Sequence, residues 1–128
     1  MEAMPANSQY SVRQHHELVH VEWADGYRVT LQTMLQMWAE VIAFCRVRRL
    51  NRVLIEGHSP LRDMKPIDAF RHGNLLSALE PPGLRVAFCL YDFEPDVVTW
   101  LFSRTANDGA TAVELFSDLP ASLRWIGA

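Results

Sequence analysis

Apolar side chains recur along this chain with two periods, and the changes from one to the other mark its elements. From residue 16 the period is two. His16, Leu18, His20 and Glu22 fall on one side, and Glu17, Val19, Val21 and Trp23 on the other. That is the pattern of a half-buried strand with Val19, Val21 and Trp23 inward. Ala24-Asp25-Gly26 is a turn signal, so residues 10–31 read as two strands. Thr30 then suits the N-cap of a long helix. Leu31, Met34, Leu35, Trp38, Val41, Ile42 and Cys45 form one apolar stripe along it, with Gln32, Gln36 and Glu40 turned away. Met37 and Phe44 fall beside the stripe on a shared neighbouring face, which reads either as flanking core or as contact with a second subunit.

The rest of the chain continues the alternation. "RVLIEG" (52–57) is a short strand ending at a glycine, and "HSPLRDMKP" is a polar loop. "PIDAFRHGNLLSAL" is a weaker helix, with Pro66 in its first turn and Gly73 placed for close packing. "EPPG" is a turn. "LRVAFCLY" (84–91) is almost wholly apolar, as a central strand is. Pro95 opens a third helix that Gly109 is placed to end, "TAVELF" (111–116) is a strand, and Asp118 caps a last helix that buries Leu123 and Ile126.

The order is therefore β-β-α-β-α-β-α-β-α, an α/β chain with a mainly parallel sheet. Crossovers between parallel strands are right-handed. Winding in one direction puts all helices on one face and leaves His16, His20 and Glu22 on a more polar one. Residues 1–9 read as a flexible terminus and 10–128 as a single domain.

Composition narrows the function classes. The chain has 128 residues, 49% hydrophobic and 21% charged, enough for a sizeable core. Its formal net charge of -3 argues against nucleic acid as a partner. Arg46, Arg48, Arg49 and Arg52 cluster at a helix end, where cations complement the helix dipole. Cys45 and Cys89 sit singly in apolar runs and read as buried thiols in a reducing, cytoplasmic compartment. No apolar run reaches the roughly 18 residues of a transmembrane helix, and residues 1–9 lack the pattern of a signal peptide.

The stretch "ANDGATAVELFSDLPASLRWI" (106–126) resembles the C-terminal signature of small bacterial SpoIIAA-like proteins of the STAS-domain type. In that signature an Asn-x-Gly turn precedes a strand ending in Phe, an acidic turn and a helix ending in Trp plus an aliphatic residue. Asn107, Gly109, Phe116, Asp118, Trp125 and Ile126 match it. "VRRLNRVLIEG" and "GLRVAFCLY" are similar to the family's helix end and buried strands, so the likeness runs from about Tyr10 onward. It implies a STAS-like fold and, by analogy with regulatory STAS domains, a protein partner. Those domains carry a phosphorylatable serine at a helix start. Here the matching region, "IEGHSPLRDMKP", offers only Ser59, followed by Pro60 and well before the helix, so the phosphoswitch is not carried over.

Reactive chemistry finds little footing. His16 and His20 on one strand would lie about 13 Å apart, too far for one metal ion, and His15 would point away from His16. "GHSPL" (57–61) partly resembles a nucleophile elbow but lacks the second glycine and the direct passage from strand to helix. Asp92, Glu94 and Asp96 cluster after the central strand, where Glu94 and Asp96 suit capping better than acid–base work. No phosphate-binding glycine motif occurs, and no metal or cofactor is implied. Ligands of open parallel sheets gather beyond the C-terminal strand ends, which makes Glu56, His58, Ser59, Asp63, Asp92 and Glu94 the default site for a ligand or partner.

The expected function is thus a non-enzymatic regulatory or protein-interaction module, acting through a protein partner or as a homodimer. The alternative is a small-ligand or lipid carrier, since STAS-like winding is similar to that of CRAL-TRIO lipid-binding proteins and Trp23, Trp38 and Trp100 are available to line an apolar pocket. A hydrolase requires His58, Ser59 and Asp63 to converge in space.

Overall fold

Strands and helices follow one another as the two periods require. The computed structural model describes residues 9–79 and 83–127. The chain forms β1 (Tyr10–His15), β2 (Leu18–Trp23), β3 (Arg28–Val29), α1 (Leu31–Arg48), β4 (Arg52–His58), β5 (Leu61–Arg62), α2 (Pro66–Ser77), β6 (Arg85–Tyr91), α3 (Val97–Ala106), β7 (Ala112–Phe116) and α4 (Leu119–Ile126). The expected flexible terminus, apart from residue 9, and most of the turn at 80–83 lie outside the described residues.

The main sheet runs β1-β2-β4-β6-β7, parallel throughout except for antiparallel β1. Its register aligns Val19, Val53, Val86 and Val113 in one rung, and Val21, Ile55, Phe88 and Leu115 in the next on the same face. These rungs meet α1, α2 and α3 in the main core. The first hairpin turns earlier than the pattern implied. His16, at φ 56, begins a two-residue turn, so Tyr10 pairs with Trp23 and Val12 with Val21. The Ala24–Gly26 turn leads instead to β3, which pairs with β5 in a small separate ribbon.

One expectation about the layers needs correction. Three helices lie on the face predicted, but α4 covers the opposite one, where Ile126 packs with Leu18, Leu54, Ala87 and Cys89. The reason is connectivity. The handedness rule constrains only crossovers between parallel strands. α1, α2 and α3 are such crossovers, whereas no later strand of the described chain follows α4. Ala87 and Cys89 are small, so the sheet leaves room for a short helix there. Arg85 fixes its end by donating to the carbonyl of Trp125 and stacking on that ring at 4.5 Å.

Capping is local and follows the sequence closely. The Thr33 N–H donates to Thr30 Oγ1 (3.1 Å) and the Thr30 N–H to Thr33 Oγ1 (2.9 Å), which starts α1. Asp96 and Asp118 cap α3 and α4 in the same sense. α3 does not end on a left-handed Gly109. Asn107 is its C-cap at φ -84, and its amide brackets Val113 by bonds of 2.9 and 2.8 Å. Gly109 serves close approach instead, since a Cβ there would lie 2.1 Å from the Ser77 carbonyl oxygen.

α1 buries a broader arc than its stripe suggested. Met37 and Phe44, read either as flanking core or as a subunit contact, are both buried in this chain's own core. Trp23 Nε1–H donates to Met37 Sδ at 3.2 Å, and the Arg48 guanidinium covers the Phe44 ring at 4.4 Å. α1 packs on the sheet and against α2 at once, so two neighbouring faces are occupied while Leu35 is left exposed. Burial raises the Cys45 thiol to about 11, which leaves it inert as a nucleophile.

Candidate functional site

The default site residues do not form one constellation. β4 and β6 end side by side, and the next residue of each turns left-handed, Ser59 at φ 48 and Asp92 at φ 55. The Ser59 N–H donates to the Tyr91 carbonyl (2.9 Å), and Ser59 Oγ lies 3.5 Å from Asp92 Oδ2. The His58 ring stacks on Tyr91 with centroids 4.5 Å apart. Asp63 instead faces Arg28 at 3.4 Å across the β3–β5 ribbon. Glu94 is exposed in the loop before α3. His58, Ser59 and Asp63 therefore engage three different partners.

Glu56 is the centre of a polar girdle on the α4 side of the sheet. Its carboxylate accepts from Tyr91 Oη–H (2.7 Å) and meets His20 Nε2 at 2.9 Å. Arg13 reaches His20 Nδ1 at 3.5 Å and Glu22 at 3.1 Å. If Nδ1 accepts from Arg13, Nε2 carries the proton to Glu56, so the chain of bonds selects one tautomer. Burial of the phenol, its bonds to Cys89 and Glu56 and the neighbouring charges raise Tyr91 above the usual tyrosine range. Both carboxylate oxygens are committed, so Glu56 ties β2, β4 and β6 together instead of presenting itself to a ligand. Among the described residues, no group of three or more His, Cys, Asp or Glu is placed to hold a metal ion.

The other face carries a cavity of about 60 Å³. Trp23, Phe88, Leu90 and Leu115 of the sheet form its floor, and Met34, Ala69, His72, Val98 and Phe102 its helical walls. Pro60, Arg62, Met64 and Phe93 stand at its loop side. The lining is almost wholly apolar. Its polar members are Arg62, Thr99 and His72. Arg62 forms a two-pronged pair with Asp96, and Thr99 Oγ1–H donates to Asp96 at 3.0 Å. The Thr99 backbone N–H first, then its hydroxyl and Arg62, hold the Asp96 carboxyl below the ordinary range.

His72 is the residue that sequence reasoning missed. It is buried, stacks on Phe102 at 4.4 Å and accepts a 2.9 Å hydrogen bond at Nε2 from Trp38 Nε1–H. Indole nitrogen can only donate, so His72 is the neutral tautomer with its proton on Nδ1. Burial lowers its pKa to about 3, which keeps it neutral at ordinary pH. A signal for it existed. Ala69, His72 and Leu76 form the buried line of α2, so His72 is a polar residue on an apolar stripe.

Around this end of the molecule, large apolar side chains stand in solvent. Ile67 (50% exposed) and Phe70 (43%) lie one turn apart on α2, and Val97 (74%) and Trp100 (60%) one turn apart on α3. The two helices run together in parallel. Gly73 lets them touch, for a Cβ there would lie 2.6 Å from Thr105 Cβ and 2.9 Å from the Phe102 carbonyl oxygen. Both pairs therefore sit on N-terminal turns at the C-terminal edge of the sheet. Arg104 covers Trp100 at 5.5 Å.

No protein-family model and no curated protein matches the chain. It is similar to a solved structure of an uncharacterized protein from the DUF3478 family, with a SpoIIAA-like fold, from Shewanella loihica PV-4. The TM-score is 0.50 and the identity 14%, over 96% of this chain and 98% of the other. Identity that low speaks to architecture alone. With a mostly parallel five-stranded sheet wound in one direction and four helices, this chain has a SpoIIAA-like α/β fold.

Proposed function

We propose that this protein is a non-catalytic interaction module whose docking face is built from the N-terminal turns of α2 and α3. The observation that carries this reading is the exposure of Ile67, Phe70, Val97 and Trp100 on two adjacent, parallel helices. Apolar side chains scattered singly need no explanation, but two pairs at one end of a domain mark an interaction surface. Trp with a stacked Arg is also the residue chemistry of interface anchors. Arg62 and Asp96 neutralise one another at the edge of the face, which leaves it suited to an apolar protein segment.

The lipid-carrier alternative is less well supported. A cavity of about 60 Å³ is under half of the roughly 150 Å³ that holds one benzene, far short of an acyl chain. Among the described residues, no helix is long and apolar enough to cross a membrane.

Size-exclusion of tagged wild type and Trp100→Asp from source-cell lysate tests the reading. Residue 100 is exposed, so the variant keeps the wild-type melting temperature. Wild type should elute above the mass of its own tagged monomer, and the variant should shift to that mass. Identical elution of the two contradicts the proposal.

A further inference from the structure

We infer that the occupant of the α2–α3 face is a second copy of this chain, which meets it through its own α2–α3 face about a two-fold axis parallel to the helices. The pairing rests on the reading of that face as a docking surface.

The apolar side chains of the face are matched in height. Gly73 of α2 packs against Phe102 and Thr105 of α3, which sets Ile67 level with Val97 and Phe70 level with Trp100. The four form two equal rows on parallel helices. A two-fold axis running between and along the helices lays α2 of one copy on α3 of the other. Ile67 then meets the partner's Val97 and Phe70 meets the partner's Trp100, and the symmetry makes each contact twice. Phe70 on the partner's Trp100 is an aromatic pair of the kind that anchors interfaces. Area is sufficient as well. A standard interface buries about 800 Å² per partner, of which roughly 450 Å² is apolar. Side chains of this size present up to roughly 150–250 Å² each, and these four are 43% to 74% exposed, so they supply most of that apolar share.

Charge selects the same axis. Lys65, the N-cap of α2, and Glu94, just before α3, are both exposed, and neither has an ion-pair partner among the described residues. The axis along the helices brings each Lys65 to the partner's Glu94, so one copy supplies the mate that the other lacks. An axis across the helices would set α2 on α2 and leave both charges unmatched. Asp68, Arg71 and Arg104 complete the rim. That mixture of signs suits a copy of the same surface and offers a polyanion no continuous field.

Sedimentation equilibrium of the purified chain alone tests the pairing. Wild type should run at twice the monomer mass at high micromolar concentration and dissociate on dilution, while Trp100→Asp should run as a monomer throughout. Lys65→Glu and Glu94→Lys should each weaken the dimer about tenfold, since each turns two attractions across the axis into repulsions. The double variant carries both reversals, restores opposite charges across the axis and should recover wild-type affinity. A wild type that stays monomeric alone, while elution from lysate still separates it from Trp100→Asp, would overturn the second copy and leave the docking face to another protein. Monomeric wild type together with identical elution from lysate would remove the docking face itself. A dimer that Trp100→Asp leaves intact, or a double variant no tighter than the single ones, would overturn the pairing.

Discussion

Trp38 Nε1–H donates to His72 Nε2 across 2.9 Å of buried space, and so α1 fixes the tautomer of a histidine on α2. The bond joins two helices that cover the same face of the sheet. It also settles which ring nitrogen of His72 carries the proton.

Stability should fall with acid through this residue. The His72 pKa is about 3 when folded against 6.5 for the free side chain. Between those values the unfolded chain binds the extra proton. Stabilisation present above about pH 6.5 is therefore lost as pH drops toward 3, by up to ~1.4 kcal/mol per unit. Urea unfolding at a series of pH values should show this slope in wild type and a shallower one in His72→Phe. Equal slopes would mean that His72 titrates normally in the fold.

Trp38→Phe should cost about 1–3 kcal/mol, because it leaves His72 Nε2 buried without its donor. Combined with His72→Phe the losses should not add, with a coupling of about 0.5–3 kcal/mol in a double-mutant cycle. Simple additivity would show that the bond contributes nothing beyond packing.

Gly73→Ala should destabilise, although alanine in an ordinary helix interior gains about 1 kcal/mol over glycine. The new Cβ would fall 2.9 Å from the Phe102 carbonyl oxygen and 3.0 Å from the Ala106 nitrogen, both backbone atoms of α3 that side-chain rotation cannot move. A raised melting temperature would show that the two helices separate at no cost.

Asn107→Ala should loosen β7 selectively. The amide donates to the carbonyls of Ser103 and Val113 and accepts from the Val113 N–H, which ties the end of α3 to the strand. Loss of these bonds should lower stability by about 1–3 kcal/mol and speed hydrogen exchange in residues 112–116 ahead of the rest of the sheet.

How much of this was legible in sequence depended on range. Caps such as Thr30, Asp96 and Asp118 involve neighbours three residues on, and their positions were readable. The sheet order followed from sequential right-handed crossovers. The side chosen by α4 did not, because no crossover constrains it and only the packing of Leu54, Ala87 and Cys89 decides it. Met37 and Phe44 looked spare because a single helix stripe ignores that α1 meets both the sheet and α2. At the site, Glu56 was marked without its partners, since His20 and Tyr91 reach it from neighbouring strands through a register that sequence does not display. The cavity was invisible for the same reason, being assembled from eight separate elements and the loops between them, though His72 left its mark on the α2 stripe.

The docking face is tested most directly by photo-crosslinking in living source cells, with p-benzoylphenylalanine in place of Trp100 on α3 or, as control, of exposed Glu114 on β7. Position 100 should yield a discrete adduct, twice the chain mass for a second copy or another fixed mass for a different partner, and position 114 should yield none. Equal labelling from both positions, or no adduct from position 100, would contradict the account.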